Sequence, residues 1–438
     1  MSRLSRNILY NLAGQASLTI LGLIAVRFVF RGLGGDAFGI ILFATASGAL
    51  IAGLMDLGLS ATIVREVSAN WSEDRSYAIT LFRSASTCAW IGWIVLTATL
   101  IIAAPSIARH WVDARAFTPA TTSALLQVTC AGAFLSLPRA MYAALFRGLQ
   151  RMAVLNAIEV GWVALQQAGM IALLVAGGGL FNVAGWFAGA YALAIVAYLV
   201  VAGWLVSPIA ALPGFSMSAV RRNAAFAGQM MSSSAFGAVL GQADRLLVSK
   251  LLPVRALGTY GFAAAVAATL GRVAYAIVLA AFPSFSEIYR RNGPAGMRQQ
   301  HQRVQALVLV LAAPGFAALA FFARPVFSWV FGPADGGSLV WPVIILCAGW
   351  YLNAAISPSY FVSVAAGRAD ISARQNFLAL FMVLPVGALL TWRLGLIGAA
   401  ATWLAYHLFA LAYGVPRICR ECLEQRATPW FKELVRMT

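Results

Sequence analysis

About a dozen apolar stretches, nearly free of charge and separated by short polar turns, divide this chain, and no other feature narrows its possible folds as much. They run over residues 8–30, 37–63, 80–104, 119–146, 153–176 and 180–206, then 223–250, 256–284, 303–323, 338–365, 375–392 and 395–415. A helix crossing the hydrocarbon layer needs about 20 apolar residues, and each stretch meets or approaches that length. With 61% of its residues hydrophobic, 10% charged and a mean hydropathy of +0.82, the chain lies far outside the soluble range. A membrane barrel would alternate apolar and polar residues in segments of about ten, whereas these runs are continuous Ala, Leu, Val and Ile. The expected fold is all-α: a polytopic membrane protein of about twelve transmembrane helices. Twelve crossings in 438 residues leave no length for a soluble catalytic domain. The first stretch is too long for a signal-peptide core and has no convincing cleavage site, so it is expected to stay as a helix.

The net charge of +17 would suggest a nucleic-acid partner in a soluble chain. Here its distribution argues against one, because the basic residues follow the turns. With the amino terminus inside, 21 Arg and Lys fall on the inner side, Arg65, Arg75, Arg83, Arg139, Arg147 and Arg151 among them, and 9 on the outer; with Arg272 set aside these account for all 31. That bias predicts both termini in the cytoplasm, and most of these side chains are expected to anchor turns against headgroups.

The chain echoes itself. Arg6-Asn7 followed by Ala13-Gly14-Gln15 returns as Arg222-Asn223 followed by Ala227-Gly228-Gln229, and Ala37-Phe38-Gly39 returns as Ala256-Leu257-Gly258. Six stretches fall in each half. The expected organisation is therefore an amino-terminal lobe over residues 1–212, a carboxy-terminal lobe over 213–416 and a cytoplasmic tail over 417–438 with an amphipathic pattern. The C-x-x-C of Cys419 and Cys422 has no further ligands nearby for zinc, so no metal is expected.

The charges left inside the stretches are the informative ones. Arg272 is near the middle of the eighth, where a guanidinium costs roughly 2.5–3.5 kcal/mol on insertion scales; it implies an internal polar cavity, or else a buried pair with Asp244, Glu159 or Asp56. Those three carboxylates are in the seventh, fifth and second stretches and are candidates for carrying protons or sodium, with helix capping or ion pairing as the structural alternatives. Arg27 and Arg31 close the first stretch, where they either guide a ligand or snorkel to the surface. Arg245 and Lys250 close the seventh. Asn156, Glu159 and Gln166 recur on one face of the fifth, and Gln229, Ser233, Gly237 and Asp244 on one face of the seventh, as a polar lining or as helix contacts. His407 reads as a packing residue, Trp71, Trp93, Trp111 and Tyr289 as interfacial anchors, and Pro314, Pro358 and Pro385 as kinks.

Residues 27–68, with a basic helix end, a glycine-rich turn and then Asp56-Leu57-Gly58-Leu59 before a further basic end, resemble the opening of bacterial polysaccharide and O-antigen flippases. Residues 242–289 resemble the seventh and eighth helices of the same family, through the Asp244-Arg245 pair, the Leu257-Gly258-Thr259-Tyr260-Gly261 turn and the closing Phe282-Pro283-Ser284-Phe285-Ser286-Glu287. The likeness is sharp over residues 1–75 and 220–291 and general elsewhere. It implies the fold of the multidrug/oligosaccharidyl-lipid/polysaccharide exporter superfamily: two pseudo-symmetric six-helix lobes around a central cavity that opens to either side in turn. It also implies a substrate, an oligosaccharide on a polyprenyl diphosphate, and a place in the bacterial inner membrane. On that reading the chain is a transporter and not an enzyme, working as a monomer among membrane lipids and beside glycan-assembly proteins, with no cofactor beyond a proton or sodium gradient.

Arg272 is then the first candidate for the diphosphate, since a guanidinium binds phosphate oxygens bidentately and stays charged when desolvated; Arg27, Arg31 and Arg245 follow. Two alternatives remain. A drug or cation antiporter of the same superfamily would favour acidic and aromatic groups over internal arginine. A polyprenyl-diphosphate glycosyltransferase would carry a large outer loop with catalytic groups, and the outer turns here are short.

Overall fold

A computed structural model describes residues 21–56 and 58–425. The start of the first stretch, with Arg6-Asn7 and Ala13-Gly14-Gln15, and the tail beyond 425 lie outside the described residues. Within them the chain is helical and has no strand, as hydrocarbon requires of a backbone that must bond to itself. The helices are α1 (described over 21–33), α2 (Gly35–Met55), α3 (Leu59–Asn70), α4 (Arg75–His110), α5 (Pro119–Phe134), α6 (Ser136–Gly148), α7 (Met152–Val175) and α8 (Leu180–Leu205). A second series follows: α9 (Met217–Leu251), α10 (Val254–Phe321), α11 (Ala323–Phe331), α12 (Pro333–Ser338), α13 (Val340–Ala365), α14 (Ala369–Leu394), α15 (Leu396–Phe409) and α16 (Val415–Cys422). Among the described residues, nine helical segments are long and apolar enough to cross a membrane, consistent with about twelve crossings in all.

Several crossings are broken, each for a local reason. The second is α2 plus α3, parted at Asp56-Leu57-Gly58: Gly58 takes a left-handed φ of 71° that L side chains disfavour, and Asp56 Oδ1 accepts from the Ser60 amide at 3.2 Å and from the Ser60 hydroxyl. The fourth is α5 plus α6, turning at Leu135 three residues before Pro138, which has no amide to give to the ladder. Residues 254–321 bend at Gly293, directly before Pro294. By contrast, Pro358 and Pro385 lie within α13 and α14 as continuous helices.

The chain forms two compact units, residues 1–242 with 253–258, and residues 243–252 with 259–438. In the first, α5 packs against α2, α4 and α8. Its buried Thr122, Ser123, Thr129, Cys130, Gly132 and Ala133 are small enough for close approach, and the Thr129 hydroxyl donates back to the Leu125 carbonyl at 2.7 Å. Lipid offers little hydrophobic drive between helices, so small residues with self-satisfied hydroxyls are what such an interior needs. Phe82 against Tyr142 and Phe146 against Tyr198, with ring centroids 5.2 and 5.6 Å apart, fill the remaining space. Trp93 lies in the middle of α4, not at an interface, and donates from Nε1 to the Ala131 carbonyl at 3.1 Å.

The segment after α8 is fastened along α4 within this same unit. Arg75 Nη2 donates to the Val206 carbonyl at 2.5 Å, Arg83 donates to the Leu212 and Pro213 carbonyls at 3.2 and 2.7 Å, and the Ser216 amide donates to Ser84 Oγ at 2.9 Å. Beyond it, Asn223 of α9 accepts from Arg65 Nη2 at 3.0 Å and donates to the Tyr77 hydroxyl at 2.8 Å. Several arginines expected only to anchor turns therefore hold backbone in place.

In the second unit, the core joins Val278, Phe285, Met297, Val304, Val308 and Val362 to the last helix. Ile418, Cys419, Cys422 and Leu423 are buried there, so the first part of the expected tail is core, and both cysteines are free thiols within it. Arg298 caps the end by donating to the Leu423 and Glu424 carbonyls at 2.6 and 2.9 Å.

Candidate functional site

Arg272 is on α10, eighteen residues from Val254 and twenty-one from Gly293, or about 27 and 31 Å along an ideal helix. It is exposed. Ala265 and Tyr275 are exposed on the same face and Thr269 is half-buried there, at the i, i+4, i+7, i+10 spacing of one helical stripe. Gly271 fixes which face this is: a Cβ on it would approach the Trp350 ring of α13 to 2.2 Å, so only glycine lets α10 seat this side on α13 and turn Arg272 away. A stripe carrying a guanidinium and a phenol halfway along a membrane helix has the chemistry of a wet face and not of a lipid face.

The Arg272 guanidinium donates from Nη2 to Thr269 Oγ1 on its own helix at 2.7 Å and makes no ion pair among the described residues. The buried pairing with Asp244, Glu159 or Asp56, one of the two expectations for this residue, does not form. The charge acting on Arg272 is instead another cation, Arg245 of α9. Tyr275 and Tyr360, 42% and 39% exposed and close enough to interact electrostatically, extend the polar surface; Tyr275 leans on Phe361 with centroids 5.3 Å apart. The sequence reading missed both tyrosines. Their signal was the spacing of Tyr275 three residues after Arg272.

Asp244 is buried and engaged. Its Oδ2 accepts from the Tyr260 hydroxyl at 2.7 Å and its Oδ1 from the Arg245 amide at 2.9 Å, which ties α9 to α10. The side chains of Gln229 and Ser233, from the stripe expected on the seventh stretch, lie outside the described residues.

In the first unit, Arg27 is half-buried, whereas Arg31 is exposed on a stripe with Ile24 and Phe28, which are 38% and 42% exposed. Large apolar neighbours on that face fit the snorkelling alternative for Arg31. Asp56 caps the α2–α3 break, the helix-end alternative to ion binding. Glu159 of α7 is paired more deeply than with the inner-side arginines near it in sequence: Arg139 Nη1 of α6 donates to Oε1 at 2.5 Å, Tyr198 of α8 donates to Oε1 at 2.6 Å, and Trp162 Nε1 donates to Oε2 at 3.1 Å. The Arg139 guanidinium also lies over the Trp162 ring, 5.2 Å from its centroid. Along the polar stripe of the fifth stretch, Gln166 is buried between helices whereas Asn156 is exposed. Arg139 was read as a turn anchor although it is nine residues inside its helix end; the criterion that singled out Arg272 applies to it equally.

His407 is buried among helices, donating from Nδ1 to the Trp403 carbonyl at 2.9 Å and accepting from Asn353 Nδ2 at 2.9 Å. Among the described residues no cluster of His, Cys, Asp and Glu could hold a metal.

Known proteins place this architecture. A protein found in Shigella flexneri, described as "Putative O-antigen transporter", is 23% identical over 405 residues, covering 91% of this chain and 93% of its own length. An inward-facing multidrug resistance MATE family transporter of the MOP superfamily superposes with a TM-score of 0.71 at 16% identity, covering 92% of this chain and 94% of its own. The lipid II flippase MurJ, in an inward closed conformation, also gives 0.71, at 11% identity, covering 97% of this chain and 90% of its own. These structures share the fold expected from the sequence. The family model described as polysaccharide biosynthesis protein matches residues 4–289, well over half of the chain, and to that family the chain belongs.

Proposed function

We propose that the chain is a flippase that carries a polyprenyl-diphosphate-linked oligosaccharide from the cytoplasmic to the periplasmic leaflet of the bacterial inner membrane. The observation that carries this reading is the exposed, carboxylate-free Arg272 halfway along α10, with Arg245 in electrostatic range. Two cations held near each other in a low-dielectric setting repel, and that repulsion is relieved when a dianion arrives between them. A diphosphate brings both the charge and the planar oxygen pairs a guanidinium prefers. Tyr275 and Tyr360 present hydroxyls and ring edges of the kind sugars need. The family match and the O-antigen transporter similarity point to the same substrate class, while the polyprenyl chain can stay in lipid.

Alternating access with both termini in the cytoplasm completes the proposal. Arg27 is the first-unit candidate for guiding the headgroup, and Arg31 is better suited to anchoring. Coupling to a proton or sodium gradient would require a carboxylate to release its donors during the cycle, and Asp244, held by one hydroxyl and one amide, has fewer to release than Glu159 with three. An organic-cation antiporter is disfavoured by the same pair of arginines.

The test is transport of a polyprenyl-diphosphate glycan by the purified protein in proteoliposomes. Arg272→Ala should lower the rate at least tenfold while insertion and thermal stability hold, and Arg272→Lys should recover only part of it. Unchanged transport by a well-folded Arg272→Ala protein removes the arginine from the substrate path.

A further inference from the structure

The ion pair of Arg139 and Glu159 lies well inside its crossings. Arg139 is nine residues from the end of α6, Glu159 seven from the start of α7 and Tyr198 seven from the end of α8, or about 14, 11 and 11 Å along ideal helices. Half the hydrocarbon thickness is about 15 Å. At that depth the side chains of Arg139 and Glu159 keep 21% and 34% exposure. A guanidinium and a carboxylate presenting that much surface to acyl chains would be costly, so the surface they show faces a wet crevice within the first unit.

Neither partner is used up by the other. A guanidinium has five N–H donors; Arg139 spends one on Glu159 Oε1, and its Nε is buried with no acceptor among the described residues. Glu159 accepts three bonds, where a carboxylate can take about four. Glu159, Trp162 and Gln166 share one face of α7 at the i, i+3, i+7 spacing. Gln166 is 6% exposed, and its Nε2 also has no acceptor among the described residues. Across from this face, Thr45 of α2 is exposed, and Tyr191 of α8 reaches it.

These groups discriminate between ligands. The pair carries no net charge, so Glu159 repels an anion and Arg139 repels a cation. A hydroxyl suits both: it accepts from a spare Arg139 or Gln166 N–H and donates to the spare carboxylate position, and neighbouring hydroxyls on one ring do so together. Trp162, half-buried, and Tyr191, with ring centroids 4.9 Å apart, supply an apolar wall for the C–H face of such a ring.

We propose that this crevice binds a sugar ring of the transported glycan, with Arg139 and Glu159 on its hydroxyls, Trp162 and Tyr191 along its C–H face and Thr45 at the rim. The subsite rests on the flippase reading and adds to it a basis for recognising the glycan that is distinct from the diphosphate contacts of Arg272.

The experiment measures transport of two carriers in proteoliposomes, the polyprenyl-diphosphate oligosaccharide extracted from cells and bare polyprenyl diphosphate, and reads the ratio of their rates, which a loss of folded protein leaves unchanged. The wild-type protein should move the glycan-bearing carrier faster. Thr45→Trp, which narrows the crevice and keeps the ion pair, and Glu159→Gln, which removes the carboxylate, should each lower the ratio about tenfold, the equivalent of one hydrogen bond to a charged group. Arg272→Ala should instead lower both rates together. A ratio unchanged in Thr45→Trp or in Glu159→Gln, or a wild-type protein that moves both carriers equally, overturns the subsite and leaves the flippase reading in place. A wild-type protein that moves neither carrier overturns the flippase reading, and the subsite with it.

Discussion

Replacing Glu159 by Gln tests how far the interior of the first unit depends on one carboxylate. Its 2.5 Å contact with Arg139 and the donors from Tyr198 and Trp162 form a single network across α6, α7 and α8. At an effective dielectric near 20, unit charges about 4 Å apart attract by about 4 kcal/mol. Most of this is offset by the desolvation both groups undergo, and the side chains keep 21% and 34% exposure. A hydrogen bond to a charged group contributes about 1.5–3 kcal/mol net. Glutamine retains an acceptor for Tyr198 but leaves Arg139 without a counter-charge, so Glu159→Gln should destabilise by about 2 kcal/mol. Arg139→Gln should cost about as much, because it strands the carboxylate. The double variant should be less destabilised than the sum of the two, with a coupling energy of about 1–3 kcal/mol, since neither charge is then left alone. Unfolding in mixed detergent and sodium dodecyl sulfate micelles, monitored by tryptophan fluorescence, gives the three free energies. Additivity within about 0.5 kcal/mol, or a Glu159→Gln protein as stable as the parent, would refute the network.

Gly271→Ala should push α10 away from Trp350 and destabilise by about 1–3 kcal/mol, and because it rotates Arg272 it should also depress transport more than thermal stability alone predicts. Tyr260→Phe removes the only side-chain donor to Asp244 among the described residues and should cost about 1–2 kcal/mol, whereas Asp244→Asn keeps an acceptor for Tyr260 and should cost less; the reverse order in a chemical unfolding series would contradict the assignment. Gly58→Val, placing a β-branched residue at a φ of 71°, should destabilise by about 1–3 kcal/mol, measured as a lower unfolding midpoint, while Gly58→Asn should be milder.

Membrane placement and helix content were legible because apolar length is a one-dimensional property. A stretch long enough to cross lipid declares itself without reference to its neighbours. The breaks within crossings were less legible. Asp56-Leu57-Gly58-Leu59 was recognisable as a family signature, but its physical role, a left-handed glycine with an aspartate cap, emerges only from backbone angles. The site divided in the same way. Arg272 stood out because it interrupts an apolar run, yet whether it met a carboxylate depended on how far Gly271 lets α10 rotate against Trp350, which no spacing encodes. Glu159 stood out as an intramembrane carboxylate, but its partner did not, because Arg139 had been counted among the turn anchors and only the packing of α6 on α7 brings the two together.

The fastened segment after α8 has a mechanical consequence. With its carbonyls gripped by Arg75 and Arg83, and with Asn223 held by Arg65 and Tyr77, the stretch joining the two halves offers no slack. The chain leaves the first unit only at residues 242–243, inside the uninterrupted α9, returns to it over 253–258 and leaves it again at 259. Residues 206–223 are therefore part of the first unit's own scaffold, and they can lift away from α3 and α4 only by giving up these bonds together.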